Sequence, residues 1–381
     1  MLYYTEVIWG SLSGESMRVT GLRLVNFRNY PSLSLRPDAG LCVLTGENAA
    51  GKTNVLEALF LCSLGRSHRT VRDGEMVRAG ELYASVAVDV DTRGGPRRIE
   101  CKLYPGERKK ITIDGAPLSR SGELLGCLNV VMFAPEDLAL VKDGPGERRR
   151  FLDMAISQLR PSYYYTLQQY NAALKQRNAL LKDPAGLDYD ALESWDEQLA
   201  VLGAAIILNR TELVERLAAI AEEQHETLSD GAETLSVAYE PNVEPESSGD
   251  LAKTLRLALS DTAERDVYRG STSVGPHRDD LALRVSGTDV RVYGSQGQQR
   301  TTVLSLKLAQ LEILRAEKED APVLLLDDVF SELDRNRQKM LLIAAQDCQT
   351  FLTCTHLEEV AAAGVEQMQV YQVANRRLVE L

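Results

Sequence analysis

Apolar positions recur along this chain with changing periods, and each change marks a new kind of element. Val19–Tyr30 alternates apolar and polar residues and predicts a half-buried strand closed by the turn Asn29-Tyr30-Pro31. Leu33 and Leu35 predict a second strand. Leu41-Cys42-Val43-Leu44 is apolar without alternation, the pattern of a strand covered on both faces. Val55, Leu56, Leu59 and Phe60 then return at helical spacing. Between about 65 and 120 alternation resumes in Val86/Val88/Val90, Ile99/Cys101/Leu103 and Ile111/Ile113. Turn residues at Arg93–Pro96, Pro105-Gly106 and Asp114-Gly115 separate these runs, which predicts an antiparallel meander.

Asn129–Phe133 reads as another buried strand. From 151 to about 229 the period is helical, broken at Lys182–Gly186, and predicts a compact helical lobe or short arm. A short strand at Leu235–Tyr239, a polar loop and a helix at about 251–266 follow. Leu281, Leu283 and Val285 then alternate as a strand, and Val303–Leu314 has helical spacing. Val323–Leu326 is a buried strand ending in Asp327-Asp328. Thr350–Thr353, a helix and a strand near 368–373 complete the pattern. The expected fold is α/β: a head built from 17–146 and 271–381, with a mixed sheet and the meander, plus a helical insertion over 147–270. Residues 1–16 lack the pattern that begins at Met17 and are expected to be a poorly ordered tail.

One stretch organises the chemistry. Gly46-Glu47-Asn48-Ala49-Ala50-Gly51-Lys52-Thr53 satisfies G-x-x-x-x-G-K-[ST] and lies between a predicted strand and a predicted helix. The glycines let backbone approach a phosphate, and the N–H groups at the helix start point at the anion. Lys52 adds a full charge, and the Thr53 hydroxyl is placed to ligate Mg²⁺. A chance glycine turn is the plain alternative, but it leaves the strand–loop–helix setting unexplained. Asp327, at the end of a buried strand, is the expected metal-positioning carboxylate, and Asp328 is placed to orient or activate water.

The chain has 381 residues, 44% hydrophobic, with a net charge of −12. That balance argues against a nucleic-acid coat protein but leaves room for a local basic face. Basic residues do cluster, at Arg66, His68, Arg69 and Arg72 and again at Arg148-Arg149-Arg150. Solvated turns are the bland account of any one cluster; Arg66, Arg69 and Arg148–Arg150 are the candidates for phosphate contacts on DNA or nucleotide. The six cysteines form no C-x-x-C pair, as expected of free thiols in a reducing cytoplasm. No apolar run reaches membrane-span length, and no secretory signal is recognisable.

Gly46–Thr53, Ser295–Arg300, Leu324–Asp328 followed by Ser331–Asp334, and Cys354-Thr355-His356 together resemble the ABC-type, SMC-like ATPase heads. The match extends over about 17–381 and includes Asn26–Tyr30, Gly65–Thr70, Phe133–Leu138, Glu147–Asp153 and Gly275–Asp279, which resemble the DNA-repair branch of these heads. The resemblance implies ATP and Mg²⁺ as cofactors and an ATP-dependent homodimer. In it, Ser295 and Gly297 of one chain would meet the γ-phosphate bound by another. It implies that His356 senses that phosphate. It further implies binding to single- and double-stranded DNA at their junctions, with RecR and RecO as partners and with weak, DNA-dependent ATPase activity gating release. Two departures stand out. Asp328 occupies a position often held by glutamate, and Phe133-Ala134-Pro135-Glu136 lacks the usual Mg²⁺-sensing glutamine. A small-molecule phosphotransferase and a clamp that holds ATP without hydrolysing it are the two rival readings.

Overall fold

A computed structural model describes residues 17–38, 40–244, 249–318, 320–365 and 367–381, so the expected tail at 1–16 lies outside the described residues. The chain packs as two compact units, one ending at Asp137 and resuming at Lys307–Leu381, the other Leu138–Leu306.

The first unit contains two six-stranded sheets. One is antiparallel and runs in the order Tyr30–Leu35, Arg18–Phe27, Ala84–Thr92, Gly95–Leu103, Lys110–Ile113, Ala116–Pro117. This is the meander foreseen from alternation, extended by the first hairpin. The other runs Arg377–Glu380, Gln369–Ala374, Leu41–Thr45, Thr350–Cys354, Val323–Leu326, Val130–Phe133. Its inner pairings are parallel, and Leu41–Thr45, Val130–Phe133, Val323–Leu326 and Thr350–Cys354 are buried at every position. Continuous apolar runs are what a parallel sheet covered on both faces requires. Helix Lys52–Leu64 touches strands of both sheets, and ten of its 13 residues are buried. A helix packed on both sides has little reason to keep a polar stripe.

Register decides where the chemistry falls. Leu326 pairs with both Phe133 and Leu352, and Cys354 pairs with Thr45. Four strands therefore end together, and the segments leaving them start with Ala134, Asp327, Thr355 and Gly46. That is the edge at which open parallel sheets bind ligands. The first hairpin turns one residue earlier than expected: Phe27 pairs with Tyr30, so Arg28-Asn29 forms the turn, with Arg28 at φ 53°. Tyr30 belongs to the strand because its ring is buried and its hydroxyl donates to the Gly51 carbonyl at 3.1 Å.

The second unit combines helices Pro145–Leu159, Pro161–Leu181 and Tyr189–Leu228 with a three-stranded sheet. The 40-residue helix is about 60 Å long at the usual rise. The expected helix at 251–266 is two helices, Leu251–Asp261 and Ala263–Arg269, parted at Thr262. Residues 271–306 fold with the helices rather than with the first unit, because Asp280–Val285 pairs antiparallel along Leu235–Glu240 and Asp280 binds Arg148. Two buried arginines lock the helices together. Arg177 donates to Asp196 and Asp266, and Arg210 donates to Asp153 and Asp279. Charges this deep are tolerated only with such partners. All six cysteines are free, Cys127 half-buried and the rest buried. No helix among the described residues is long and apolar enough to cross a membrane.

Candidate nucleotide site and signature segment

The phosphate loop sits on the strand edge just described. Gly46 and Gly51 adopt φ values of 150° and 116°, and both lie against neighbours that exclude a side chain. A Cβ on Gly46 would stand 2.4 Å from the Val373 carbonyl oxygen, and one on Gly51 2.6 Å from the Asn29 amide. Asn29 also donates to the Ala50 carbonyl at 2.9 Å and accepts from Asn54 at 2.8 Å. The Arg28–Tyr30 hairpin thus braces the back of the loop through Ala50 and Gly51. Lys52 is 4% exposed, and its ammonium donates to the Gly46 and Glu47 carbonyls at 2.7 and 3.2 Å, which aims it at the loop's own cradle.

Thr53 donates its hydroxyl to Asp327 Oδ1 at 2.9 Å, and Thr353 donates to the same oxygen at 2.8 Å. Burial pushes the Asp327 carboxyl above its ordinary value; the charges of Asp328 and Glu136 act the same way, and the two threonine hydrogen bonds oppose them. No described ion pair reaches Asp327. A buried carboxylate beside a hydroxyl, both hard oxygen donors, fits Mg²⁺, which takes one or two protein ligands and completes its shell with water and phosphate. Among the described residues no cluster of three or more acidic, histidine or cysteine side chains could hold a metal alone. Lys52, the loop N–H groups and the start of helix Lys52–Leu64 likewise fit the phosphates of ATP.

Asp328 follows in the left-handed region at φ 47°, its N–H held by Thr353 Oγ1 at 2.8 Å. Its carboxylate is half-buried, and its charge acts on Asp327 beside it. His356 precedes helix Leu357–Ala362 and is exposed. The residue before it is tied to the loop: Thr355 accepts from Thr45 through its carbonyl and donates to Asn48, both at 3.4 Å. The segment lacking the sensing glutamine is fixed differently. Asp137 accepts from the Ala134 N–H at 2.8 Å and pairs with Lys307 at 2.7 Å.

The basic candidates diverge. Arg66 and Arg69 are exposed beyond the phosphate helix. Arg69 reaches back to Asn54 at 3.3 Å and lies 4.0 Å from Glu136, so it belongs to the nucleotide edge. Arg148 is 4% exposed and holds Asp280 through two hydrogen bonds of 2.6 and 2.9 Å, with the Leu140 and Asp143 carbonyls taking another N–H. It is a structural residue, and the expectation of a phosphate contact there is corrected. Arg149 is half-buried and donates to the Asp279 carbonyl at 2.6 Å, while Arg150 lies 3.7 Å from Glu147.

In the second unit, Ser295 stands exposed before helix Gln296–Glu317. Its hydroxyl accepts from the Gln298 N–H at 3.2 Å, and the Gln298 side-chain oxygen accepts from the Ser295 N–H at 2.8 Å, a reciprocal capping box. Gly297 is exposed in the first turn. The segment has the makings of an anion site at a helix start. Asn29, Tyr30, Asn54, Thr353 and Thr355 support the site without being legible as such in the sequence; the Asn26–Tyr30 pattern alone carries no sign of the loop it braces.

Strand, phosphate loop, helix, Thr53 on Asp327 and a capped signature helix together define an ABC-type ATPase head. The model of the RecF/RecN/SMC N terminal domain matches residues 18–378. A protein of Alkaliphilus oremlandii named DNA replication and repair protein RecF is 44% identical over 360 residues, covering 94% of this chain and 98% of that one. The protein of that name from Clostridium acetobutylicum is 40% identical over 364 residues, covering 96% and 100%. A solved structure described as the recombination mediator protein RecF-ATP in the RecFOR pathway superposes with TM-score 0.89 at 35% identity, covering all of both chains. The Smc head of Pyrococcus furiosus shares the fold, with TM-score 0.57 at 17% identity over 96% of each chain. The chain belongs to the RecF family of ATPase heads.

Proposed function

We propose that this chain is an ATP-dependent DNA-binding protein of replication and recombinational repair that works as an ATP-bridged homodimer. The observation that carries the reading is the 2.9 Å contact between Thr53 and Asp327, which brings a hydroxyl and a carboxylate suited to Mg²⁺ together from two distant segments. The names of relatives sharing 40–44% identity over nearly the whole chain support the cellular role. Functionally, 17–146 and 271–381 act as the head, and 147–270 as the helical insertion.

In this reading Gly46–Thr53 binds the phosphates, and Thr53 with Asp327 holds Mg²⁺. The metal neutralises developing charge when bound. Ser295 and Gly297 of a second chain complete the γ-phosphate site. Asp328 orients water, and its short side chain suits a slow turnover that releases the dimer. His356 follows Thr355, which is hydrogen-bonded to the loop, and senses the γ-phosphate. Arg66, Arg69, Arg149 and Arg150 are the remaining basic contacts for DNA or nucleotide phosphates. The DNA is a single-strand/double-strand junction, RecO and RecR are the partners, and the setting is the cytoplasm.

Anisotropy of a labelled gapped duplex tests this. ATP–Mg²⁺ is expected to tighten binding, and salt to weaken it steeply. Affinity indifferent to ATP contradicts the proposal.

A further inference from the structure

The capping box at Ser295 does not stand alone. Because the Gln298 side-chain oxygen is committed to the Ser295 N–H, its NH₂ group must face elsewhere, and it donates to Glu233 Oε1 at 2.9 Å. Glu233 accepts and cannot donate when ionised, so it admits only this orientation of the Gln298 amide. The other carboxylate oxygen lies 3.4 Å from Nε2 of His225, a fully buried residue in the last turn of the 40-residue helix. His225 Nδ1 lies 3.3 Å from the Ser305 hydroxyl, two turns further along the signature helix.

Glu233 reaches this position through a tight turn. Asp230 and Gly231 both have positive φ, 52° and 74°, which folds the chain back beneath the helix end. Ser229 then brackets Glu233, accepting from its N–H and donating to its carbonyl, both at 3.3 Å. The end of the long helix, Glu233, Gln298 and Ser295 therefore form one continuous hydrogen-bonded path inside the second unit.

We propose that Glu233 is the positioning residue of the signature: it orients the Gln298 amide so that Ser295 is presented in one geometry to the nucleotide of a second chain. The proposal rests on the trans-site reading above. It also gives the long helix a route to that site, since any displacement of the 229–234 turn withdraws the carboxylate from Gln298. Such a path is a physical linkage between two elements, and its energetic worth is what the experiment measures.

The test compares Glu233→Ala, Glu233→Gln and Ser295→Arg with wild type. ATP–Mg²⁺-dependent dimer formation is followed by mass photometry, and ATP affinity of the single chain by fluorescence titration. Glu233→Ala is expected to weaken dimer formation about tenfold, the loss typical of one charge-assisted hydrogen bond, with single-chain ATP affinity retained. Glu233→Gln is expected to restore most of it, since its amide oxygen still accepts from Gln298. A Glu233→Ala dimer as stable as wild type, with Ser295→Arg defective, overturns the positioning role alone. If wild type fails to dimerise with ATP, or Ser295→Arg dimerises normally, the trans-site reading fails and this inference falls with it. Should Glu233→Ala not fold, Glu233→Met, which keeps the bulk of the stem and accepts no hydrogen bond from Gln298, decides: the same dimer defect supports the role, and wild-type dimerisation overturns it.

Discussion

Thr53 and Asp327 share a 2.9 Å hydrogen bond although 274 positions separate them in the chain. Asp327 is buried and its carboxyl is pushed upward, so in the nucleotide-free protein its ionised form is a burden. A group whose folded pKa is raised gives its full stability below the ordinary carboxylate value and loses it as pH rises through the raised one. Asp327→Asn is therefore expected to melt higher than wild type at pH 7.5 without nucleotide, with the gap closing in acid. The rise in Tm that ATP–Mg²⁺ produces in wild type should vanish in the variant. A variant that melts lower and still responds to ATP–Mg²⁺ contradicts the assignment.

Lys52 places a nearly buried ammonium on the phosphate cradle. Replacing it by methionine keeps the stem and removes the charge. Calorimetric titration should show ATP affinity reduced by about 10- to 100-fold, the range for a charged hydrogen-bond donor, with little change in folding.

Arg28 of the hairpin turn pairs with Glu57 of the phosphate helix, with hydrogen bonds of 2.8 and 2.5 Å, and Glu57 is fully buried. Burial alone would raise the Glu57 carboxyl; hydrogen bonds from Arg28 and Ser67 and the Arg28 charge outweigh it and hold the group low. Its contribution is present above the ordinary carboxylate value and is lost as pH falls through the lowered one. Arg28→Ala should cost about 3–5 kcal/mol at neutral pH by stranding a buried charge. Urea unfolding at pH 7 and pH 4 should show a smaller difference between variant and wild type in acid.

Arg148 and Arg69 make opposite predictions despite similar appearance in the sequence. Arg148→Ala removes a buried guanidinium from half-buried Asp280 and should destabilise the second unit by about 1.5–3 kcal/mol, the range for a hydrogen bond to a charged group. Arg69→Ala, at an exposed position, should leave the melting temperature almost unchanged and weaken ligand binding. If Arg69 touches DNA phosphate, the slope of log affinity against log salt should fall by about 1.

Asp328→Asn separates an active ATPase from a passive clamp. Loss of a water-orienting carboxylate is expected to slow hydrolysis by about 10²-fold or more and to prolong the ATP-bound DNA complex. Unchanged release in a stopped-flow chase favours the clamp.

The legible parts of this protein were those written in contiguous residues. Gly46–Thr53 carries its glycines, lysine and threonine side by side, and Val323–Leu326 announces a buried strand just before its aspartates. Partners could not be read that way. Nothing beside Arg148 in the chain distinguishes it from Arg149, and only the approach of Asp280–Val285 to the helices turns one of them inward. That same strand pairs with Leu235–Glu240, so 271–306 packs with the second unit although its signature motif belongs to the chemistry of the head. The break at Thr262 was hidden because the apolar spacing continues across it.

The most direct measurement is the mass of the protein in solution with and without ATP–Mg²⁺, for wild type, Lys52→Met and Ser295→Arg. ATP is expected to convert wild type to a dimer while both variants stay monomeric, Ser295→Arg still binding nucleotide. A wild type that remains monomeric at micromolar concentration with ATP bound would contradict it.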